Sequence, residues 1–302
     1  MNKSYISWLE ENANGNIYLK PYWGNSGDEL IFLGTKEILA KLGIGAVTNP
    51  SIADMIISPG GNPSMWPCHQ EEWRNAWRRY PDKKHIIGPS TFMGNESHWI
   101  DALQSPECRT VAVFARDKES YRNLKEKIGS TGVYIGVGDD PALSLKGSNI
   151  VNETIAGVKN TEYDLYCFRG DLEKAKNDGC DINSRMEVSN SYLSRCLRKI
   201  ARRAQRVKKR EASESTHESS NELQNQKFPV LRVDVSMMSF DLFRETIAHA
   251  REVHTDRLHC MIFACLTGKK VYAYPTAYSK LEAVYRNSME GIWKVDFVNQ
   301  VQ

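Results

Sequence analysis

The sequence predicts an α/β protein with two domains, each built on a parallel sheet. Short apolar runs end in glycine-containing or polar turns and lead into segments of helical apolar spacing. That rhythm is typical of parallel sheets with helices on both faces. It stops in a Ser-, Asn- and Gly-rich stretch at residues 144–162, which we interpret as a linker, and then restarts. The chain has 302 residues, longer than a common single domain, so we place the domains at residues 1–148 and 149–302.

The bulk composition is that of an ordinary globular protein, with 41% hydrophobic and 25% charged residues. A formal net charge of +3 is too small to indicate a nucleic-acid partner. Residues 1–16 lack the apolar segment of a signal peptide, and no apolar run is long enough to span a bilayer. The seven cysteines form no C-x-x-C pair, so we expect neither a disulfide framework nor a zinc site. We therefore expect a cytoplasmic protein.

The first unit is a strand at residues 16–22, a glycine-containing turn and a helix at residues 29–39. The turn, Trp23-Gly24-Asn25-Ser26-Gly27-Asp28, lacks the Lys-Ser/Thr ending of a Walker loop and the dinucleotide G-x-G-x-x-G spacing. Asp28 has two possible roles. It either caps the helix or faces a ligand at the carboxyl end of the strand.

The same alternation continues along both predicted domains. Trp66, Trp73 and Trp77 have helical spacing, and we expect them to pack on the sheet rather than to stack on nucleic acid. The other predicted strands are at residues 53–58, 84–87, 110–117, 133–137, 164–168, 228–235 and 270–275, and the other predicted helices at residues 118–128, 239–252 and 279–288.

Residues 191–210 carry nine Lys or Arg and no acid, with apolar residues along one side. They predict a basic amphipathic helix, followed by a polar, mobile loop at residues 211–227. The basic face can be solvated, or it can meet an anionic partner such as a membrane surface. Nucleic acid is not expected, because no helix-turn-helix or RNA-recognition signature accompanies the helix.

The most informative stretch is Val253-His254-Thr255-Asp256-Arg257-Leu258-His259 and the apolar segment that follows it to Gly268. It predicts a strand running directly into a helix, with Asp256 as the N-cap or a first-turn acid. Arg257 and His259 then lie in the first turn, beside backbone N–H groups that have no helical partner. This arrangement predicts an anion site. The alternative is a capped core helix with an incidental Arg and His.

Four motifs occur in order: Trp23-Gly24-Asn25-Ser26-Gly27-Asp28-Glu29-Leu30, Phe114-Ala115-Arg116-Asp117-Lys118-Glu119-Ser120, Asp140-Pro141-Ala142-Leu143 and Thr255-Asp256-Arg257-Leu258-His259. Together they resemble the polysaccharide pyruvyl transferase family over residues 16–286. The resemblance implies a GT-B-like pair of Rossmann-like domains facing a central cleft. It also implies transfer of a pyruvyl group from phosphoenolpyruvate to two sugar hydroxyls, as a ketal. The alternatives are a nucleotide-sugar-dependent glycosyltransferase on the same scaffold and a non-catalytic module in polysaccharide assembly.

The resemblance also implies a site. The residues expected to bind the phosphoenolpyruvate donor are Arg116, Arg169, Arg257, Leu258, His259 and Lys280. His259 is either a general acid or base or only a phosphate ligand, and it forms the expected catalytic set with Arg257 and Asp28. The loops expected on the acceptor side contain Gly24, Asn25, Gly27, Gly60 and Gly61. We expect no metal and no cofactor besides phosphoenolpyruvate as co-substrate, and a sugar or lipid-linked glycan as acceptor.

Overall fold

The chain folds around two parallel five-stranded sheets in the computed structural model. The structure describes residues 4–21, 24–65, 68–93, 98–158, 160–169, 228–235, 238–276 and 279–298. The predicted basic helix at residues 191–210 and the loop at residues 211–227 lie outside these ranges. Within them, no helix is both long enough and apolar enough to cross a bilayer.

The first sheet has the order β1-β2-β3-β4-β5. Its strands are β1 Ile17–Leu19, β2 Met55–Ser58, β3 Lys84–Ser90, β4 Thr110–Ala115 and β5 Tyr134–Val137. The helices of this half are α1 Tyr5–Asn12, α2 Ser26–Lys41, α3 Cys68–Arg79, α4 His98–Leu103 and α5 Lys118–Ile128, with 3-10 turns at Pro50–Ile52 and Pro141–Leu145.

Alternate residues of each strand in this sheet bury on opposite faces. On β3, Ile86 packs in the core with α1 and α2, whereas Ile87 packs in the core with α3, α4 and α5. The predicted aromatic side of α3 is confirmed for Trp73 and Trp77, which are buried in the second of these cores, whereas Trp66 lies outside the described residues. Both faces of the first sheet are therefore covered, and its strands read as nearly continuous apolar runs.

The second sheet has the order β10-β9-β8-β6-β7 and is also parallel. Its strands are β6 Tyr163–Cys167, β7 Val230–Arg232, β8 Ala250–Thr255, β9 Lys270–Ala273 and β10 Val295–Phe297. The described helices of this half are α6 Asn149–Ala156, α7 Phe240–Ala248, α8 Leu258–Leu266 and α9 Lys280–Ser288. The α/β prediction with parallel sheets is confirmed.

Helix α2 joins the two halves. Leu30 of α2 is fully buried in the core of the second sheet, together with Ala142 and Leu145 of the 3-10 turn. Gly34 makes this packing possible, because a methyl group there would lie 1.9 Å from the carbonyl oxygen of Pro141. The start of α2 is thereby brought next to α8, and this contact positions the site described below.

Two predictions about local structure were wrong. The stretch interpreted as a linker contains α6, whose Val151 is buried in the core; its Ser- and Asn-rich start is a helix beginning rather than a loop. The helix predicted to reach residue 252 ends at Ala248, because β8 begins at Ala250 and pairs with both β6 and β9. Helices α1 and α4 and strand β10 were not predicted.

Candidate active site

A cavity of about 270 Å³ lies at the carboxyl ends of β4 and β6, where α2 and α8 begin. This is the edge at which ligands bind in parallel α/β sheets. All but one of the predicted site residues line it: Gly24, Asn25, Gly27, Asp28, Gly61, Arg116, Arg169, Arg257, Leu258, His259 and Lys280. The exception is Gly60, which packs so close to the carbonyl of Pro89 that a methyl group would lie 2.4 Å from that oxygen.

The turn between β8 and α8 is held by two side chains of the Thr255–His259 motif. Thr255 Oγ1 donates to the carbonyl of Cys167 at 2.8 Å and accepts from the backbone N–H of Arg257 at 3.0 Å. Asp256 Oδ1 accepts from the backbone N–H of Arg169 at 2.8 Å. These bonds tie the end of β8 to the end of β6, so that Arg169 and Arg257 are brought to the same cavity.

Asp256 was predicted to be the N-cap or a first-turn acid of this helix, and both alternatives were wrong. The N-cap position of α8 is Arg257, no side chain caps it, and the first turn contains no acid. Asp256 is used instead to hold Arg169, and it is only 2% exposed. Burial raises the pKa of Asp256 to about 7, although Arg257 and Arg169 act in the opposite direction.

The three residues after Asp256 point to different surroundings. The guanidinium of Arg257 pairs with Asp234, its Nη2 lying 2.7 Å from Oδ1. Leu258 is buried in the core of the second sheet and anchors the start of α8. His259 lies in the first turn of α8, as predicted, and lines the cavity.

Arg116, at the end of β4, is almost fully buried. Its Nε donates to Thr91 Oγ1 at 2.8 Å, and its Nη1 lies 2.8 Å from Asp140 Oδ2. From α9, the Asn287 amide donates to the Arg116 carbonyl at 3.3 Å. A guanidinium in this setting has a fixed position, and its charge is matched by a carboxylate that is itself 0% exposed.

Asp140 also contacts His259. Its Oδ2 lies 3.3 Å from His259 Nε2. Its Oδ1 accepts from the backbone N–H of Ala142 at 3.0 Å. Burial alone would raise the pKa of Asp140, but His259 and Arg116 outweigh burial and hold that pKa well below its usual range.

Helix α2 begins with a complete capping box. Asn25 Oδ1 accepts from the backbone N–H of Gly27 at 2.8 Å, and Asp28 Oδ2 accepts from the backbone N–H of Asn25 at 3.0 Å. The capping alternative for Asp28 is therefore realised in the structure. Gly27 also approaches His259, because a methyl group there would lie 2.5 Å from Nδ1 of the imidazole.

Several residues of the cavity were missed in the sequence. They are Asn62, Cys68, His69 and Glu72, which follow β2 or begin α3. Burial lowers the pKa of His69, with Asp28 and Glu72 acting in the opposite direction. Glu72 is bound by Lys20, whose Nζ lies 3.1 Å from Oε2. Their position after the β2 turn was the available signal, because that turn lies at the same sheet edge.

Two charged groups thus share the cavity. The cationic cluster consists of Arg116, Arg169, Arg257, Lys280 and His259, and the acidic cluster consists of Asp28 and Glu72 with His69 beside them. Lys280 opens α9 and is 4% exposed. The cationic cluster fits a ligand with more than one anionic group, and the acidic cluster can accept hydrogen bonds from hydroxyls.

Comparisons with known proteins bear on the family and on the fold of the chain. The model of the polysaccharide pyruvyl transferase family matches residues 25–278. A crystal structure of a functionally uncharacterised protein from Klebsiella pneumoniae is similar over 98% of this chain and 97% of that one, with a TM-score of 0.59 and 20% identity. At that identity the likeness bears on the fold alone. No curated protein matches the chain.

Proposed function

The chain belongs to the polysaccharide pyruvyl transferase family, and from that premise we propose that it transfers a pyruvyl group from phosphoenolpyruvate to two hydroxyls of a sugar. The acceptor is a polysaccharide or a glycan precursor, and the product is a pyruvate ketal. The observation that carries the proposal is the cationic cluster, which gathers four fixed cations and an imidazole in one cavity. The two sheets would then face each other as GT-B-like domains, with the donor held mainly by the second.

Phosphoenolpyruvate carries a phosphate and a carboxylate, and both need donors. The guanidinium groups of Arg116, Arg169 and Arg257 can each grip such a group through two N–H donors, and Lys280 adds a point charge. The start of α8 adds backbone N–H groups that no side chain caps. These cations also neutralise the leaving phosphate, so the proposed reaction needs no resident metal.

The proposed reaction balances as follows. The C2–O bond to phosphate breaks with its electron pair going to phosphate, and two C–O bonds form between C2 and the sugar oxygens. Of the two hydroxyl protons released, one ends on the methylene carbon, which becomes a methyl group, and the other leaves with phosphate. His259 is our candidate for the group that moves the proton to carbon.

The acidic cluster is our candidate for the acceptor side. Asp28 and Glu72 can accept hydrogen bonds from sugar hydroxyls, and Asn62 can both donate and accept. Burial favours the neutral imidazole of His69, which can then accept the proton of an attacking hydroxyl. His69 and His259 therefore stand in contrasting surroundings within one cavity, as an acid and base pair requires.

Ligand-dependent melting temperature tests the proposal first. Phosphoenolpyruvate should raise the melting temperature of the wild-type protein, and UDP- and GDP-sugars should not. The opposite pattern would favour the nucleotide-sugar glycosyltransferase. Lys280→Met should lose the effect of phosphoenolpyruvate. The control Lys269→Met removes a lysine that contacts the Ala248 carbonyl and does not line the cavity.

Turnover is the second readout. Phosphate should be released from phosphoenolpyruvate only when a glycoside with two suitably spaced hydroxyls is present, and the glycoside should gain the mass of pyruvate less water. Dialysis against a chelator should leave this rate unchanged. Stabilisation by phosphoenolpyruvate without release on any glycan would leave a binding module as the function.

A further inference from the structure

Asp140 is a fully buried carboxylate between two cations. Arg116 Nη1 lies 2.8 Å from its Oδ2, and His259 Nε2 lies 3.3 Å from the same oxygen. Its other oxygen already accepts a hydrogen bond from the backbone N–H of Ala142. The carboxylate is thus committed on both oxygens, and none of these contacts is with solvent.

This geometry fixes the charge of Asp140. A buried carboxylate avoids ionisation unless cations or N–H donors compensate it. Here one guanidinium and one backbone N–H do so, and the imidazole completes the set when it carries a positive charge.

We propose that Asp140 is a positioning residue that acts through His259, holding the imidazole protonated on Nε2 and presenting the Nδ1–H edge beside the start of α2. This inference rests on the proposed function and deepens it. Nδ1 lies beside Gly27 at the start of α2, and both residues line the cavity.

The consequence is a definite role for His259 in the first step. The Nδ1–H bond breaks, and its proton forms a C–H bond with the electron pair of the C=C bond of phosphoenolpyruvate. C2 becomes an oxocarbenium centre, which a sugar oxygen attacks. The imidazolium is restored when the ring takes up a hydroxyl proton later in the cycle. His259 therefore starts as the acid, and the base for the attacking hydroxyl lies elsewhere.

Other charges also face this ring and must be part of any pH argument. The titratable and charged groups that line the cavity with His259, or contact it, are Asp140 beside β5, Arg116 from β4, Arg169 from β6, Asp28 from α2, Cys68, His69 and Glu72 from α3, Arg257 and Cys260 beside or within α8, and Lys280 from α9. All of these except Asp140 itself remain in Asp140→Asn, so a change in pH dependence reports on Asp140.

The first test is spectroscopic and uses the wild-type protein. The ring nitrogens of His259, labelled with ¹⁵N and assigned by comparison with His259→Gln, should show an imidazolium at about pH 7. A neutral ring at that pH overturns the inference whatever phosphoenolpyruvate does. This readout needs neither a ligand nor a variant at Asp140.

The second test is the pH dependence of phosphoenolpyruvate binding, measured by calorimetry. Between about pH 6 and about pH 8, affinity should change little in the wild type and fall about tenfold in Asp140→Asn, as the unsupported imidazole loses its proton. In the double variant with His259→Gln, the effect of Asp140→Asn on this slope should vanish. The control is Asp164→Asn, which breaks the pair with Arg251, Oδ1 lying 2.7 Å from Nε, outside the cavity.

The outcomes separate the two proposals. Identical pH profiles for wild type and Asp140→Asn overturn the role of Asp140. A weakening that is the same at every pH also overturns it, because Asp140 would then act only by holding Arg116. If the wild type does not bind phosphoenolpyruvate, the proposed function fails, and the ring spectra still decide the protonation of His259. The spectra also decide it if Asp140→Asn does not fold.

Discussion

Helices α2 and α8 begin at the same cavity, but only α2 satisfies its own start. Asn25 and Asp28 form a reciprocal capping box, and Asp28 and Glu29 place two acids in the first turn of α2. Helix α8 begins at Leu258 with no side-chain cap and no acid in its first turn. Both helix starts carry the positive end of a backbone dipole. Helix α2 compensates it with its own acids, and α8 does not. The capped start of α2 (the closed start) supports the fold, whereas the uncapped start of α8 (the open start) leaves N–H groups that can bind an anion.

Removing Arg257, the cation at the uncapped start of α8, should have the largest effect on phosphoenolpyruvate binding. Arg257→Met should weaken phosphoenolpyruvate binding at least about 100-fold, since it removes the proposed charge-assisted hydrogen bonds between this guanidinium and an anionic group of the ligand. Calorimetry measures the affinity. The control Arg251→Met breaks a comparable carboxylate pair, with Asp164, and should leave binding unchanged. A loss of less than about threefold for Arg257→Met would place the donor elsewhere.

Asp256, beside the uncapped start of α8, should govern a pH-dependent part of the free energy of unfolding. Burial raises the pKa of Asp256 to about 7 from an ordinary value of 3.8. The folded protein therefore binds this proton more tightly than the unfolded chain, so the contribution is full below about pH 4 and is lost as the pH rises through about 7.

Asp256→Asn removes this proton linkage and keeps an acceptor for the Arg169 N–H. Relative to wild type, its free energy of unfolding should gain about 2 kcal/mol between about pH 5 and about pH 8. Urea unfolding at the two pH values measures it. Asp54→Asn is the control, because Asp54 also accepts a backbone N–H, from Asn16, but lies at the surface. Equal pH dependence in Asp256→Asn and wild type would contradict the prediction.

The contact between the two helix starts can be broken with one methyl group. In Gly27→Ala the new Cβ would lie 2.5 Å from His259 Nδ1, so the ring must move and phosphoenolpyruvate affinity should fall about tenfold. Gly45→Ala serves as the control, since no atom lies within 4 Å of a methyl group there. An affinity within about twofold of wild type would show that the ring position does not matter for binding.

The smallest effect is expected at the closed start, where two substitutions separate capping from chemistry. Asp28→Ala removes the acceptor for the Asn25 N–H and should cost about 1 kcal/mol of stability. Asp28→Asn keeps an acceptor oxygen and should melt close to wild type, with unchanged phosphoenolpyruvate affinity. If Asp28→Asn instead lost phosphate release while keeping its stability, Asp28 would act as a base as well as a cap.

Much of the fold follows from local patterns. Helix α5 has the bounds predicted from its spacing, Lys118–Ile128, and the strands follow from apolar runs that are buried on both faces. Helix α1 was missed although Tyr5, Trp8 and Leu9 are buried at helical spacing, because its short length gave the pattern too few repeats. The end of α7 was misplaced because the central position of β8 in the sheet depends on β6 and β9, which are distant in sequence.

The site divides in the same way. Arg116, Arg169 and the start of α8 could be predicted because each follows a strand, and the carboxyl ends of parallel strands meet at one edge. The link from Asp140 to Arg116 and His259 could not be predicted. It depends on how α2 packs on Pro141 through Gly34, and no local pattern encodes that distance.

The packing of α2 also sets an order for synthesis. Leu30 leaves the ribosome early, yet it is buried with Phe263 and Val271, which are synthesised more than two hundred residues later. Until those residues emerge, the apolar side of α2 that will face them has no native neighbours. Ala142 and Leu145, from the middle of the chain, can cover part of α2 earlier, but the candidate site is complete only once α8 and Lys280 have been synthesised.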